Sequence, residues 1–193
     1  MILATVLMIA ATTASFAQET KTVFGVDSEI GFVWGIELKT AYISEKVATQ
    51  YGMYAGALIN HTVMVGFTGA ANVTHPSINY GYTGLMVQYT HKPYNLVHMN
   101  GYISLGSGST KDYENEKTSV FDNFGNVTGE KFYFIEPGVN CEINLGVKTR
   151  LVLGIGYRFV NGIDPNNENI SNTHVTDSDL SCVNINVGIK FGL

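Results

Sequence analysis

Seven charged side chains lie inside segments that are otherwise apolar or neutral, and they are the residues best suited to chemistry. Apolar and polar residues alternate in each of these segments, and each charged residue occupies one of the polar positions. They are three carboxylates and four cations: Glu37, Lys39, Glu136, Glu142, Arg150, Arg158 and Lys190. Carboxylates and cations that share one interior can form ion pairs, and they can also form a path for protons or ions.

Other candidate chemistry is poorly supported by spacing. The acidic stretches 108–130 and 161–179 contain DPNNEN (164–169) and HVTDSD (174–179), whose oxygens are of the type that Ca²⁺ accepts. Neither run matches a full EF-hand loop, so we expect solvated carboxylates, with no metal and no cofactor. The five histidines show no HxH or HExxH spacing, and Ser104 and Ser107 lie in no GxSxG motif. We therefore predict no catalytic residues and no enzyme activity.

The elements that position the seven charges follow a period of two. In the last segment Val183, Ile185, Val187 and Ile189 alternate with polar residues or glycine, which is typical of a strand with one apolar face. The same pattern, cleaner in some segments than in others, predicts eight strands, at about 30–41, 48–59, 62–71, 79–90, 96–107, 131–145, 148–160 and 179–192. Strands of this length are sufficient to span a membrane.

The connections alternate in length as well. Short connections follow the second, fourth and sixth strands, at 60–61, 91–95 and 146–147, whereas longer ones follow the third, fifth and seventh. Outer-membrane barrels have short periplasmic turns, long external loops and an even number of strands. An even count places both termini on one side, which we predict to be the periplasm.

The distribution of charge decides which face is which. A water-facing strand surface should hold many Lys and Glu, but here the polar face holds seven nearly balanced charges together with Gly, Asn and Ser. This composition suits the narrow lumen of eight strands, which has room only for side chains. We predict an all-β fold, an eight-stranded antiparallel up-and-down transmembrane β-barrel with a polar lumen. In so narrow a lumen the charges are expected to form a structural plug rather than an ion path.

The sixth and seventh strands permit two registers. A register can be expressed as the sum of the residue numbers of two directly opposed residues, which point to the same face of the sheet. Because Glu142 and Arg150 both have even numbers, both point inward only if this sum is even. A sum of 292 places Glu142 opposite Arg150, and a sum of 294 places Glu136 opposite Arg158; either register brings two carboxylates to two guanidinium groups. An even sum also requires a connection with an odd number of residues.

The N-terminus and the overall composition indicate an exported protein. The apolar run 2–11 followed by Ser15-Phe16-Ala17 predicts a signal peptide over 1–17 and a barrel domain over 18–193, although no Lys or Arg precedes the run. A net charge of −5 argues against nucleic-acid binding.

The chain has two cysteines; Cys141 is expected to face lipid and Cys182 the lumen, so no disulfide is predicted. Eight tyrosines near strand ends are consistent with aromatic girdles: Tyr51, Tyr54, Tyr80, Tyr82, Tyr89, Tyr94, Tyr133 and Tyr157.

Four segments resemble the strands of small outer-membrane β-barrel proteins of Bacteroidota, most of which have no assigned function. They are YGMYAGALINHTVMVGF (51–67), FYFIEPGVNCEINL (132–145), LVLGIGYRFVNG (151–162) and INVGIKFGL (185–193). The resemblance implies outer-membrane lipid and the outer-membrane assembly machinery as partners. That machinery commonly recognises a terminal aromatic residue; here Phe191 has the right parity, but Leu193 is last.

These observations predict a non-catalytic protein of the outer membrane, structural or surface-binding through its acidic external loops, with an unknown external partner. Two rival hypotheses remain open at this point. One is an outer-membrane enzyme that modifies lipid, and the other is a soluble secreted barrel that binds a small apolar ligand.

Overall fold

The computed structural model describes residues 29–43, 46–74, 78–112, 130–163 and 176–192. The predicted signal peptide, most of both acidic stretches and Leu193 lie outside these residues. The described chain forms eight strands and one short helix, α1 (Asp177–Leu180), between the last two strands. The strands are β1 (Ile30–Ile43), β2 (Lys46–Ile59), β3 (Val63–Thr74), β4 (Ile78–His91), β5 (Val97–Asp112), β6 (Glu130–Gly146), β7 (Thr149–Asn161) and β8 (Cys182–Gly192).

The strands close into a barrel. Each is antiparallel to its neighbours in sequence, and β8 pairs with β1 to complete the circle. The predicted eight-stranded antiparallel barrel is confirmed. Among the described residues, no helix has the length and apolar character needed to cross a membrane.

The alternation of residue types becomes an alternation of faces. In β8, Val183, Ile185 and Val187 are exposed on the outside, whereas Asn184, Asn186 and Lys190 are buried inside. Successive side chains of a strand point to opposite faces, so one strand supplies both surfaces of the wall. The wall is therefore apolar outside, and polar as well as apolar side chains share its interior.

The two ends of the barrel differ in their connections. The end with the connections 60–62, 92–96 and 147–148 is called the turn end below, and the opposite end is called the loop end. Asn60 and His61 have φ of 50° and 56°, and Thr62 N donates to Ile59 O at 3.0 Å, which is the geometry of a type I′ turn. His61 Nε2 lies 2.9 Å from Glu29 Oε2, so this turn is tied to the residue before β1.

Several strands extend further toward the loop end than the sequence predicted. The stretch after 107, rich in Gly and Ser, was predicted as loop, but residues 108–112 continue β5 by pairing with β4. Conversely, β8 begins at Cys182 rather than at 179, because Asp177–Leu180 form α1. Thr176 and Asp179 form the capping box of this helix, in which the Asp179 carboxylate accepts from Thr176 N at 2.8 Å.

β6 and β7 adopt the register with a sum of 294 along most of their length, for example Ile135 with Phe159 and Asn144 with Arg150. The pairing then shifts, so that Gly146 faces Thr149 and Leu145 forms a bulge. The sequence argument required an odd-length connection, but the structure keeps the two-residue turn 147–148 and inserts one extra residue into the strand. A β-bulge of this kind changes the parity of the ladder without lengthening the turn.

Two pairs of facing glycines mark sharp corners of the wall. Gly56 faces Gly66 across β2 and β3, and Gly84 faces Gly106 across β4 and β5. A Cβ built on Gly56 would lie 2.7 Å from the Cα of Gly66, and one on Gly84 would lie 3.0 Å from the Cα of Gly106. The paired backbones approach so closely that no larger residue fits, as expected where a narrow barrel bends tightly.

Candidate functional site

All seven charged side chains singled out in the sequence point into the barrel. Glu136, Glu142 and Arg158 are fully buried, and the most accessible of the seven, Glu37, is 8% exposed. The structure brings them together in two groups: one around Glu136, in the middle and loop-end part of the lumen, and one around Glu142 near the turn end.

The Glu136 network consists of Glu37, Lys39, Glu136 and Arg158 with their neutral partners. Lys39 Nζ donates to Glu136 Oε1 at 2.7 Å, and Arg158 Nε donates to Glu136 Oε2 at 2.9 Å. Lys39 Nζ also lies 3.2 Å from Glu37 Oε1. Two carboxylates therefore balance two cations, which reduces the cost of burying each charge.

Neutral side chains also contact Arg158. Its Nη2 donates to the Tyr82 hydroxyl and, at 3.1 Å, to Gln50 Oε1. The Arg158 Cζ atom lies 4.1 Å from the centre of the Tyr82 ring, a cation–π contact. On the other side of the network, the Tyr102 hydroxyl donates to Glu136 Oε1 at 3.3 Å.

The Glu142 network gathers four donor side chains around one carboxylate. Lys190 Nζ and Gln88 Nε2 donate to Oε1 at 2.8 and 3.1 Å, and Arg150 Nη1 donates to Oε2 at 3.4 Å. His98 Nε2 lies 3.0 Å from Oε2, while its Nδ1 lies 3.0 Å from the Asn95 carbonyl oxygen. Both ring nitrogens face acceptors, so only the doubly protonated imidazole donates to both.

Asparagines connect the Glu136 network to the middle of the lumen. Asn186 Nδ2 donates to Glu37 Oε2 at 3.4 Å and to Asn140 Oδ1 at 3.3 Å, and Asn140 Nδ2 donates to Asn100 Oδ1 at 3.0 Å. These amides lie along β5, β6 and β8. β7 lies between β6 and β8, and Gly154 of β7 leaves the room in which Asn140 and Asn186 meet.

Apolar side chains fill the rest of the interior. At the loop end Phe132, Ile163 and Leu180 belong to one buried cluster, and α1 supplies Leu180. In the turn-end half, Val33, Leu58 and Met64 belong to a second cluster on the inner faces of β1, β2 and β3. The interior is therefore packed with side chains, an arrangement suited to holding the wall together rather than to passing solutes.

Sequence reasoning missed several members of the two networks: Gln50, Tyr82, Gln88, His98 and Tyr102. Each lies on the inward parity of its strand, so the parity that selected the charged residues would have found them too. They were passed over because only Asp, Glu, Lys and Arg were used to decide which face is buried.

The predicted tyrosine girdles need correction. Tyr54, Tyr80 and Tyr82 are 7%, 1% and 3% exposed and point inward, where a phenol can pair with buried charge. Tyr51, Tyr89, Tyr94, Tyr133 and Tyr157 do lie on the outside. Closeness to a strand end was the wrong criterion, because parity determines the face.

The described residues contain no group of three His, Cys, Asp or Glu arranged to hold a metal. Asp177, from one of the oxygen-rich runs, instead accepts from Gly162 N and Ile163 N at 3.2 and 2.9 Å.

The two serines considered as nucleophiles lie on different faces: Ser104 is buried inside and Ser107 lies on the outer face. His98 is on the same strand as Ser104, six residues and about 20 Å away, too far for a shared proton. Cys141 and Cys182 are free thiols.

The outer surface carries a wide belt of exposed apolar side chains. Trp34 stacks on Phe191 across the β1–β8 seam at 4.6 Å, and Ile155 and Phe67 are 48% and 70% exposed. Within the described residues, the outward lysines lie at strand ends or in turns, as Lys46, Lys92, Lys131 and Lys148 do. Between these ends, the outer faces of the described strands carry no Asp, Glu, Lys or Arg.

Comparison with known proteins supports the fold. No family model and no curated protein matches the sequence. The N-terminal β-barrel domain of Pseudomonas aeruginosa OprF superposes with a TM-score of 0.58 at 10% identity, over 84% of this chain and 97% of that chain. Neisserial surface protein A superposes with a TM-score of 0.50 at 12% identity, over 85% of this chain and 97% of that chain. Both are small barrels of the outer-membrane type, and the likeness shows a shared fold.

Proposed function

We propose that this chain is an integral protein of a bacterial outer membrane, non-catalytic, and either structural or surface-binding through its acidic loops. The observation that carries the proposal is the inverted distribution of side chains, with an uncharged apolar belt outside and charge inside. A folded protein in water has the opposite arrangement, because large exposed apolar patches cost free energy there.

The same observation argues against the soluble-barrel alternative. A soluble barrel that binds an apolar ligand keeps an apolar cavity inside and charge outside. Here the interior holds two ionic networks as well as two apolar clusters, and the outside holds Trp34, Phe67 and Ile155. In lipid these exposed side chains have a suitable solvent, and the closed strand pairing leaves no sheet edge unpaired.

Orientation, export and partners belong to the same proposal. The leader 1–17 is removed on export, the turn end with both termini faces the periplasm, and the acidic stretches 108–130 and 161–179 face outward. The partners are outer-membrane lipid and the outer-membrane assembly machinery, as in the small barrels of Bacteroidota that the sequence resembles. An external partner would be drawn by loop carboxylates, so it would present cationic groups.

Refolding of residues 18–193 with and without detergent tests membrane residence. We expect a monodisperse barrel only in detergent or lipid, and a folded form that migrates differently from the boiled form on a gel. A mature chain that stays monodisperse and folded in plain buffer would overturn the assignment. Trypsin shaving of intact cells should cleave at Lys111 or Lys117 within 108–130 and spare Lys148 in the turn 147–148. Cleavage at Lys148 with 108–130 left intact would invert the orientation.

The non-catalytic part is tested by the lipid composition of cells that lack the protein. We expect unchanged acylation of lipid A and phospholipids in the deletion strain. A missing or additional acyl chain, restored by the wild-type gene, would favour the lipid-modifying enzyme instead.

A further inference from the structure

Two cations face each other directly across β7 and β8 at the turn end of the lumen. Arg150 is paired with Lys190 in the strand register, and both point inward, with 6% and 1% exposure. Like charges in directly opposed positions of a sheet repel each other. Burial strengthens that repulsion, because little water is available to screen it.

Among the described residues one carboxylate lies between these cations, and it neutralises only one of them. Glu142 faces Lys190 through Oε1 and Arg150 through Oε2, which leaves a surplus of one positive charge even if His98 is neutral. A doubly protonated His98 raises the surplus to two. The Glu136 network, by contrast, is balanced within itself, so the positive excess of the lumen is confined to the turn end.

Arg150 has donors to spare, and they are accessible. Among the described residues its side chain donates one hydrogen bond, a long one of 3.4 Å from Nη1. Arg158 Nη1 is unpaired and sealed from solvent, but the guanidinium nitrogens of Arg150 are not among the sealed unpaired atoms. Arg150 is the second residue of β7, one residue after the end of the turn 147–148, so it belongs to the layer of the lumen nearest the turn end.

We propose that the turn end of the lumen binds an oxyanion, a phosphate or carboxylate group, on the guanidinium of Arg150. The anion takes the N–H groups that point away from Glu142, in the forked geometry that guanidinium offers to two oxygens. Lys190, directly opposite Arg150 in the strand register, adds attraction. The bound charge offsets the surplus that the strand register creates, so binding stabilises the barrel.

Arginine-specific ¹⁵N labelling gives a direct test, because the sequence contains two arginines, Arg150 and Arg158. Inorganic phosphate is titrated into the folded wild-type barrel in a zwitterionic detergent, with chloride adjusted to hold ionic strength constant. We expect one Nε–H signal to shift saturably while the other, from the sealed Arg158, stays in place. Arg150→Gln assigns the responding signal by removing it.

The thermal midpoint provides a second readout. At phosphate about ten times its dissociation constant, we expect a rise of about 3 to 6 °C. The rise should be lost in Arg150→Gln and kept in Lys148→Gln, which removes an exposed cation from the adjacent turn. Acetate in place of phosphate tests the carboxylate class by the same two measurements.

A parallel arm distinguishes a free anion from a lipid headgroup by adding phosphatidylglycerol to the micelles. A response to this lipid that depends on Arg150, without a response to free phosphate, supports the site and identifies a headgroup as its ligand. The proposal would be overturned if neither arginine Nε–H signal shifted with phosphate, acetate or phosphatidylglycerol. Equal shifts of the thermal midpoint in wild type and Arg150→Gln would overturn it as well. The site lies inside the barrel, so this outcome would leave the membrane assignment unaffected.

Discussion

Glu136 and Arg158 meet in the barrel interior, with the guanidinium Nε and the carboxylate Oε2 2.9 Å apart and both side chains fully buried. Glu136 also holds Lys39, so one carboxylate joins cations from β1 and β7. The pair therefore links distant parts of the wall through the lumen. Its stability contribution depends on both partners being present, since a lone buried charge costs more than the pair gains.

Removing one partner of this pair is expected to destabilise the barrel strongly. Arg158→Met removes one of the two cations that pair with Glu136 and should lower the free energy of unfolding by about 3 to 5 kcal/mol. Urea unfolding in lipid vesicles, followed by tryptophan fluorescence, measures the change. Glu136→Gln combined with Arg158→Met should cost less than the sum of the single changes. Lys131→Gln, an exposed change on the same strand as Glu136, should shift the unfolding free energy by no more than about 0.5 kcal/mol.

The facing glycines of the wall should not tolerate alanine. Gly66→Ala and Gly106→Ala place a methyl group against the backbone of the paired strand and should each cost about 1 to 3 kcal/mol. The matched control is Gly101→Ala, because the nearest atom to a Cβ there is 4.0 Å away, at Gly138 O. The same urea titration measures the free energy of unfolding of these variants and of the control. Equal effects at Gly101 and Gly106 would contradict tight corners in the wall.

A charge on the outer belt should be costly in proportion to its depth. Ile155 lies at the centre of β7 and Tyr133 near the loop end of β6, and both face outward. In lipid, Ile155→Arg should cost about 2 to 4 kcal/mol and Tyr133→Arg about 0 to 1 kcal/mol. Unfolding free energies in vesicles measure the difference. A loss at Tyr133 as large as that at Ile155 would mean that the belt does not mark membrane depth.

The packed interior should not conduct ions. In planar bilayers we expect no stepwise current from the wild-type barrel, since ionic networks and apolar clusters together fill its narrow interior. Leu180→Ala together with Phe132→Ala opens the apolar cluster at the loop end but leaves both networks in place, so it should also remain silent. Regular conductance steps from the wild type would instead favour an ion path along the charged residues.

Much of the fold could be predicted because the sequence alternates so regularly. Parity alone selected the inward positions of the seven charges, and the lengths of the connections indicated which end carries the turns. The strand ends near 108–112 were less predictable, because Gly and Ser occur both in loops and in strands that extend past a membrane. The aromatic residues Tyr54, Tyr80 and Tyr82 were misjudged from their distance to strand ends.

The choice between the two registers of β6 and β7 could not be made from the sequence. Both bring glutamates to arginines, and the energies of direct and diagonal pairs are similar. What decides between them is the bulge at Leu145, a backbone irregularity with no residue signature of its own. The convergence of His98 and Gln88 on Glu142 was equally hidden, because it depends on side chains from β4 and β5 reaching across the lumen.

The bulge at Leu145 also sets the phase between β6, which carries Glu136 and Glu142, and β7, which carries Arg150 and Arg158. With the same two-residue turn and no extra residue, Gly146 opposite Thr149 would set an odd sum throughout, and Arg150 and Arg158 would turn outward while Glu136 and Glu142 stayed inside. Deletions and insertions at this position are therefore far more consequential than substitutions. A change of sequence length by one residue here would move two guanidinium groups from a polar interior into hydrocarbon.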